Sequence, residues 1–164
     1  MLYTRTLVAE DFAVPEILET SRYRLRKLTI ADLDADFEAV TSSEDHLRGV
    51  FGDGNTWPAG LTRERDLADL GWHETEFDLR TSFTYTVMSL DESLCLGAVY
   101  IYPSRAPAYE ACCTMWVRAS MIAERLDEEL YQNVRIWLAE NWPFDNVAYP
   151  GREMSWDAFE VQFE

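Results

Sequence analysis

Positive charge is scarce in this chain. Lys and Arg together number 14 against 30 Asp and Glu, a formal net charge of −16 over 164 residues. Gripping a nucleic-acid backbone or an anionic membrane requires clustered Lys and Arg, so the composition argues against both partners. The simplest consequence of the acidic excess is solubility, including in a salty cytoplasm. Cysteine is scarce too. Cys95, Cys112 and Cys113 show no metal-ligand spacing, and neighbours in an extended segment point to opposite faces, poorly placed to pair. They read as small buried hydrophobes in a reducing compartment. The opening MLYTRTLVAEDF has no apolar run of signal-peptide length, and no segment approaches a membrane span. Internal repeats and low-complexity tracts are absent. A cytoplasmic protein is the expectation.

What is present is apolar and aromatic. Hydrophobic residues make up 48% and aromatic residues 13%, which argues for one packed globular domain rather than disorder. Residues 1–21 carry few signals and read as an N-terminal extension, with a potential edge strand at 4–8 before Pro15. A single domain is expected over 22–164. Residues 23–28 alternate as a half-buried strand. Thr29, with Asp32 three residues on, opens a helix bearing Leu33, Phe37 and Val40, and Ser43 starts a shorter one. FGDGNTWPAG is the clearest loop. Thr62 begins a helix to about Arg80, residues 83–90 alternate as a strand, and Asp91, Glu92 and Ser93 form a hairpin turn. The nearly continuous apolar run 94–102 then reads as a central strand.

The chain is organised around residues 109–140, a strand, a short connection and a helix. Period two puts Tyr109, Ala111, Cys113, Met115 and Val117 on one strand face, and Glu110, Cys112, Thr114, Trp116 and Arg118 on the other. Leu126, Leu130, Val134, Trp137 and Leu138 form one helical stripe. A short strand and a final turn or two of helix follow. The order gives one mixed α/β domain.

Three constellations carry potential chemistry. Asp69, His73 and Glu76, spaced four and three apart, share a helix face and could hold a metal or a substrate amine. HETEF lacks the second His of HExxH, however, and a solvated helix face is the commoner outcome; no metal site is assigned. Tyr85, Tyr100, Tyr102 and Trp116 could line an aromatic pocket, although strand aromatics are more often core. Cys112 or Cys113 would need a nearby base to act as a nucleophile, and neither His is close in sequence.

The order of elements, with RLRKL at 24–28, LCLGAVYIYP with its Gly97, CTMWV, and VRIWLAENWPFDNVAY, resembles the GNAT superfamily of acyl-CoA-dependent N-acetyltransferases over most of 23–154. The resemblance implies an α/β (α+β) fold, a mixed, mainly antiparallel sheet flanked by helices. It also implies acetyl-CoA as cofactor and a small-molecule or peptide amine as acceptor. The family's pyrophosphate loop reads Gln/Arg-x-x-Gly-x-Gly/Ala, and its amides with the following helix N-terminus hold the anion. Here one register runs from Arg118 to Ala123 with Met121 in place of the first glycine. Another places Ile122, Arg125 and Asp127 at the key positions. Asp127, Glu128 and Glu129 then occupy the first helical turn and compete for the same dipole. Trp116, Val117, Arg118 and Arg125 are the implied cofactor contacts.

By the same resemblance Glu110 is the candidate general base and Tyr149 the candidate acid. Trp72, His73 and Glu76 fall where family members line the acceptor site. Trp156 and Phe159 stand where the family's acid Tyr would fall. The space of the usual closing strands is left to the N-terminal extension or to a partner subunit, as in a homodimer. Two readings stay open: an N-acyltransferase moving an acetyl group to an amine, and a non-catalytic ligand-binding or protein-interaction module on the same fold.

Overall fold

The computed structural model describes residues 3–162. Its six strands follow one another across a single sheet in sequence order: β1 (Ile17–Glu19), β2 (Tyr23–Lys27), β3 (Phe83–Ser89), β4 (Cys95–Pro103), β5 (Ala111–Val117) and β6 (Val147–Ala148). Every neighbouring pair is antiparallel except the last, which is parallel. Alternation drives this arrangement. Tyr23, Leu25, Tyr85, Val87, Val99 and Ile101 enter one core with the odd-numbered residues of β5. The even-numbered Ala98, Tyr100 and Trp116 enter a second core on the opposite face.

Each face is covered by helices. Between β2 and β3 run α1 (Leu33–Thr41), α2 (Glu44–Leu47) and α3 (Arg63–Asp78), and Ala39, Val40 and Leu47 pack over Tyr100 and Trp116. The expected start signals operate: the Thr29 N–H donates to Asp32 Oδ2 at 2.9 Å, and Thr62 Oγ1 accepts from the Arg65 N–H at 3.3 Å. α4 (Leu126–Asn141) covers the other face through its predicted stripe, all five members of which are buried. α5 (Trp156–Glu160) follows β6, capped by Ser155. No helix among the described residues is long and apolar enough to cross a membrane.

The N-terminal segment differs from its expectation. The edge strand lies at Ile17–Glu19, not at 4–8, and Leu7, Val8, Phe12 and Val14 before it pack against the main core. Arg80 explains why. In a left-handed conformation (φ 60°), its carbonyl accepts from the Leu7 N–H at 2.8 Å while its guanidinium donates to the carbonyls of Ala9 and Phe12. Tyr85 Oη donates to the Pro15 carbonyl, and Val8 is buried in the main core.

Two backbone features set up the site. β5 and β6 pair only at Ala111↔Val147 and Cys112↔Ala148, so from Cys113 onward that edge of β5 has no strand partner among the described residues. On its other edge β5 presses closely on β4. A Cβ added at Gly97 would lie 2.1 Å from the Trp116 carbonyl oxygen, well inside contact distance. Gly97→Ala should therefore push β5 outward and cost about 3 kcal/mol or more, seen as a lowered urea midpoint.

Candidate active site

Beyond Cys112 the diverging strands leave a cavity of about 310 Å³, walled by residues 114–117 of β5, by Pro150 and Gly151, and by His46, Arg48, Asp127 and Arg152. Arg152 donates to both carboxylate oxygens of Asp127, at 2.5 and 2.7 Å, and its guanidinium lies 5.5 Å from the Tyr131 ring centre. The connection from β5 to α4 forms a 3-10 turn (Ala119–Met121) and reaches α4 through Arg125 at φ 57°. Its amides are largely engaged. Ala119 N–H donates to Ser43 Oγ at 2.9 Å, and Met121, Ile122 and Arg125 N–H donate to carbonyls within the loop. This segment differs from an open anion cradle, as the missing glycines led us to expect.

A second cavity, of about 500 Å³, lies on the α1–α3 side of the sheet. Phe51, Trp57, Tyr100 and Tyr102 contribute aromatic walls, with Phe51 edge-on to Tyr100 at 5.4 Å and Tyr100 stacked on Tyr102 at 5.8 Å. Asp36 of α1 and Asp66 of α3, 5% and 3% exposed, meet across this wall as a hydrogen-bonded carboxyl pair. Burial, followed by the facing Asp66, raises the Asp36 pKa well above the carboxylate range. Burial and the neighbouring Asp69 raise that of Asp66 to about 6. Two carboxyls this close share one proton. Asp66 Oδ2 has no hydrogen-bond partner among the described residues. His73 Nδ1 lies 3.1 Å from Thr84 Oγ1, and burial pushes its pKa down to about 4, so the imidazole is neutral at neutral pH.

Thr114 and Trp156 line both cavities. Thr114 Oγ1 is buried without a hydrogen-bond partner among the described residues. Trp156 Nε1 donates to the Val50 carbonyl at 3.2 Å, and the ring lies over Gly52, where a Cβ would come within 3.3 Å. The two spaces thus meet on the even-numbered face of β5.

Of the site residues read from the sequence, Trp116 and Val117 wall the first cavity and His73 the second. The others lie elsewhere. Glu110 precedes β5, is exposed, and accepts from the backbone N–H groups of Asp145 and Asn146. Strand alternation does not extend back to it, so it caps the turn into β6. Tyr149 is buried in the main core, edge-on to Tyr131 at 5.7 Å, and burial raises its pKa far above the phenol range. Arg118 is 7% exposed and points to α1, where it donates to both oxygens of Glu38 and to the Cys95 carbonyl. Arg125 is exposed and pairs with Glu128. Trp72 is half exposed on the outer side of α3. Glu76 is buried, accepting from Ser82 Oγ at 2.7 Å. Among the described residues no group of three ligating side chains could hold a metal ion. Sequence reading missed Asp36, Asp66 and Thr114. Asp36 and Asp66 belong to two different helices, and the period of neither shows that the two dock together.

The fold recurs in solved structures. A putative ribosomal-protein-serine acetyltransferase from Vibrio cholerae superposes with a TM-score of 0.66 at 12% identity, over 95% of this chain and 84% of that one. The fold is the GNAT fold. RimL, a ribosomal L7/L12 alpha-N-protein acetyltransferase, superposes with a TM-score of 0.59 at 15% identity, over 76% of this chain and 65% of its own length. The microcin C7 self-immunity acetyltransferase MccE, solved with acetyl-CoA and AMP, gives 0.63 at 7% identity over 88% and 78%. No protein-family model matches the sequence, and no curated protein matches it. The order β5, connecting turn, α4 and β6 is the part of this fold that the sequence led us to expect.

Proposed function

We propose that the protein is an N-acyltransferase that moves an acyl group from a coenzyme A thioester to an amine. One observation carries this reading: two cavities, one beside the unpaired edge of β5 and one walled by carboxyls and aromatic rings, meet at Thr114 and Trp156. Transfer between two substrates needs two spaces with a common wall. The edge of β5 suits a pantetheine arm, because backbone groups can bind its amides whatever the side chains are. The diphosphate end suits the guanidinium groups of Arg48 and Arg152 better than the loop amides, which are largely engaged.

Bound there, the donor supplies a thioester carbonyl as electrophile. Trp116 and Val117 position its arm along the strand. Trp156 separates the two substrates except where they meet, and excludes water. His73, uncharged, remains on the acceptor side. The acceptor's ammonium would first give one proton to solvent; the neutral nitrogen would then bond to the carbonyl carbon as the C–S bond breaks, and the thiolate would take a second N–H proton, leaving an amide and a free thiol.

Titration calorimetry with acetyl-CoA tests the reading. A dissociation constant in the micromolar range, about −8 kcal/mol, is the expected result. No heat at millimolar donor would overturn acyl transfer and leave a ligand-binding module on this fold, a reading that the acidic start of α4 favours.

A further inference from the structure

Resting on the acyltransferase reading, we propose that the larger cavity takes a small-molecule amine with an aromatic body, whose ammonium group is received by the carboxyl pair Asp36 and Asp66. The volume of about 500 Å³ suits a compact ligand rather than a folded protein surface. Its charged lining is unbalanced: Asp36, Asp66, Asp69 and Glu160 face the exposed Arg105. A cation bound there completes the unmet hydrogen bond of Asp66 Oδ2 and compensates the charge the pair retains. Neutral His73 offers no competing charge.

Two further observations narrow the class. Thr114 Oγ1, also without a partner among the described residues, is a second polar contact, at the junction with the other cavity. An amino group reaching between it and Asp66 faces the donor side, which gives the orientation that acyl transfer requires. The body of the ligand meets Phe51, Trp57, Tyr100 and Tyr102, rings suited both to stacking and to cation–π attraction. Asp36 and Asp66 are therefore binding residues for the acceptor, in the role of charge recognition.

The test needs no acyl donor. Benzylamine, phenethylamine and tryptamine are titrated calorimetrically against the whole protein beside their neutral counterparts benzyl alcohol, 2-phenylethanol and tryptophol. At least one amine should bind about tenfold or more tighter than its alcohol. Asp66→Asn should bring that pair within roughly twofold, while its far-ultraviolet spectrum stays that of the parent. Alcohols binding as well as amines, no amine binding at 10 mM or below, or trialanine binding tighter than every amine would each overturn the proposal. Failure is distinguishable from failure of acyl transfer. Amine discrimination without acetyl-CoA binding removes the transferase and keeps this site, whereas acetyl-CoA binding and turnover without discrimination removes only the site.

Discussion

Asp66→Asn should melt about 2–8 °C higher than the parent protein at pH 8, a gain of about 1–2 kcal/mol for a chain of this size, and at nearly the same temperature at pH 4. The sign follows from linkage. In the fold Asp66 titrates at about 6, above the 3.8 of an ordinary aspartate, because burial disfavours the carboxylate. Its favourable contribution is complete below the unfolded value and is lost as pH rises through about 6. The groups facing it are Asp36 on α1 and Asp69 and Arg63 on α3; Asp69 opposes ionisation, while the hydrogen bond with Asp36 and then the charge of Arg63 favour it without offsetting burial. An asparagine keeps a hydrogen bond to Asp36 without the charge, so its benefit grows across the interval from 4 to 7. His73 moves oppositely in both proteins: its pKa of about 4 lies below the unfolded value, so its neutral form favours folding as pH rises. That slope cancels in the difference between variant and parent. A constant difference in melting temperature from pH 4 to pH 8 would show that Asp66 does not carry the buried charge. Stability gained by removing an ionisable group is what a site retained for binding should show.

Local periodicity made most of the fold legible. The helix stripe from Leu126 to Leu138 and the alternation of β5 could be read because each partner lies within a turn or a pleat. Cys112 and Cys113 do face opposite ways, one toward the second cavity and the other into the main core. The site was less legible because its residues meet across long sequence separations. Arg118 looked available for an anion, but Glu38, 80 residues away, holds it. Glu110 continued the alternation on paper, while two turn amides decide its actual direction. Asp36 lies one turn before Val40 and Asp66 one turn before Leu70, so each is a carboxyl on the buried face of its helix. Only the docking of α1 against α3 buries them together.

Asp127 and Arg152 should pull donor affinity in opposite directions. Asp127→Asn is expected to tighten acetyl-CoA binding by about tenfold, and Arg152→Ala to weaken it by about tenfold or more. In the parent, Asp127 occupies the first turn of α4, where the helix end favours an anion, and binds Arg152 through two hydrogen bonds. An incoming diphosphate competes with that carboxylate for both the dipole and the guanidinium. Asparagine ends the competition at the charge level while keeping the side-chain shape. The stability change runs the other way, because a first-turn carboxylate and a partly exposed ion pair each contribute up to about 1 kcal/mol. Tighter binding by a slightly less stable protein therefore cannot be attributed to general stiffening. Both affinity effects should shrink between 50 mM and 500 mM salt, since Arg152 is 20% exposed and Asp127 34%. If neither variant alters acetyl-CoA affinity, the diphosphate lies away from α4, and Arg48 becomes its remaining cationic contact in the wall of this cavity.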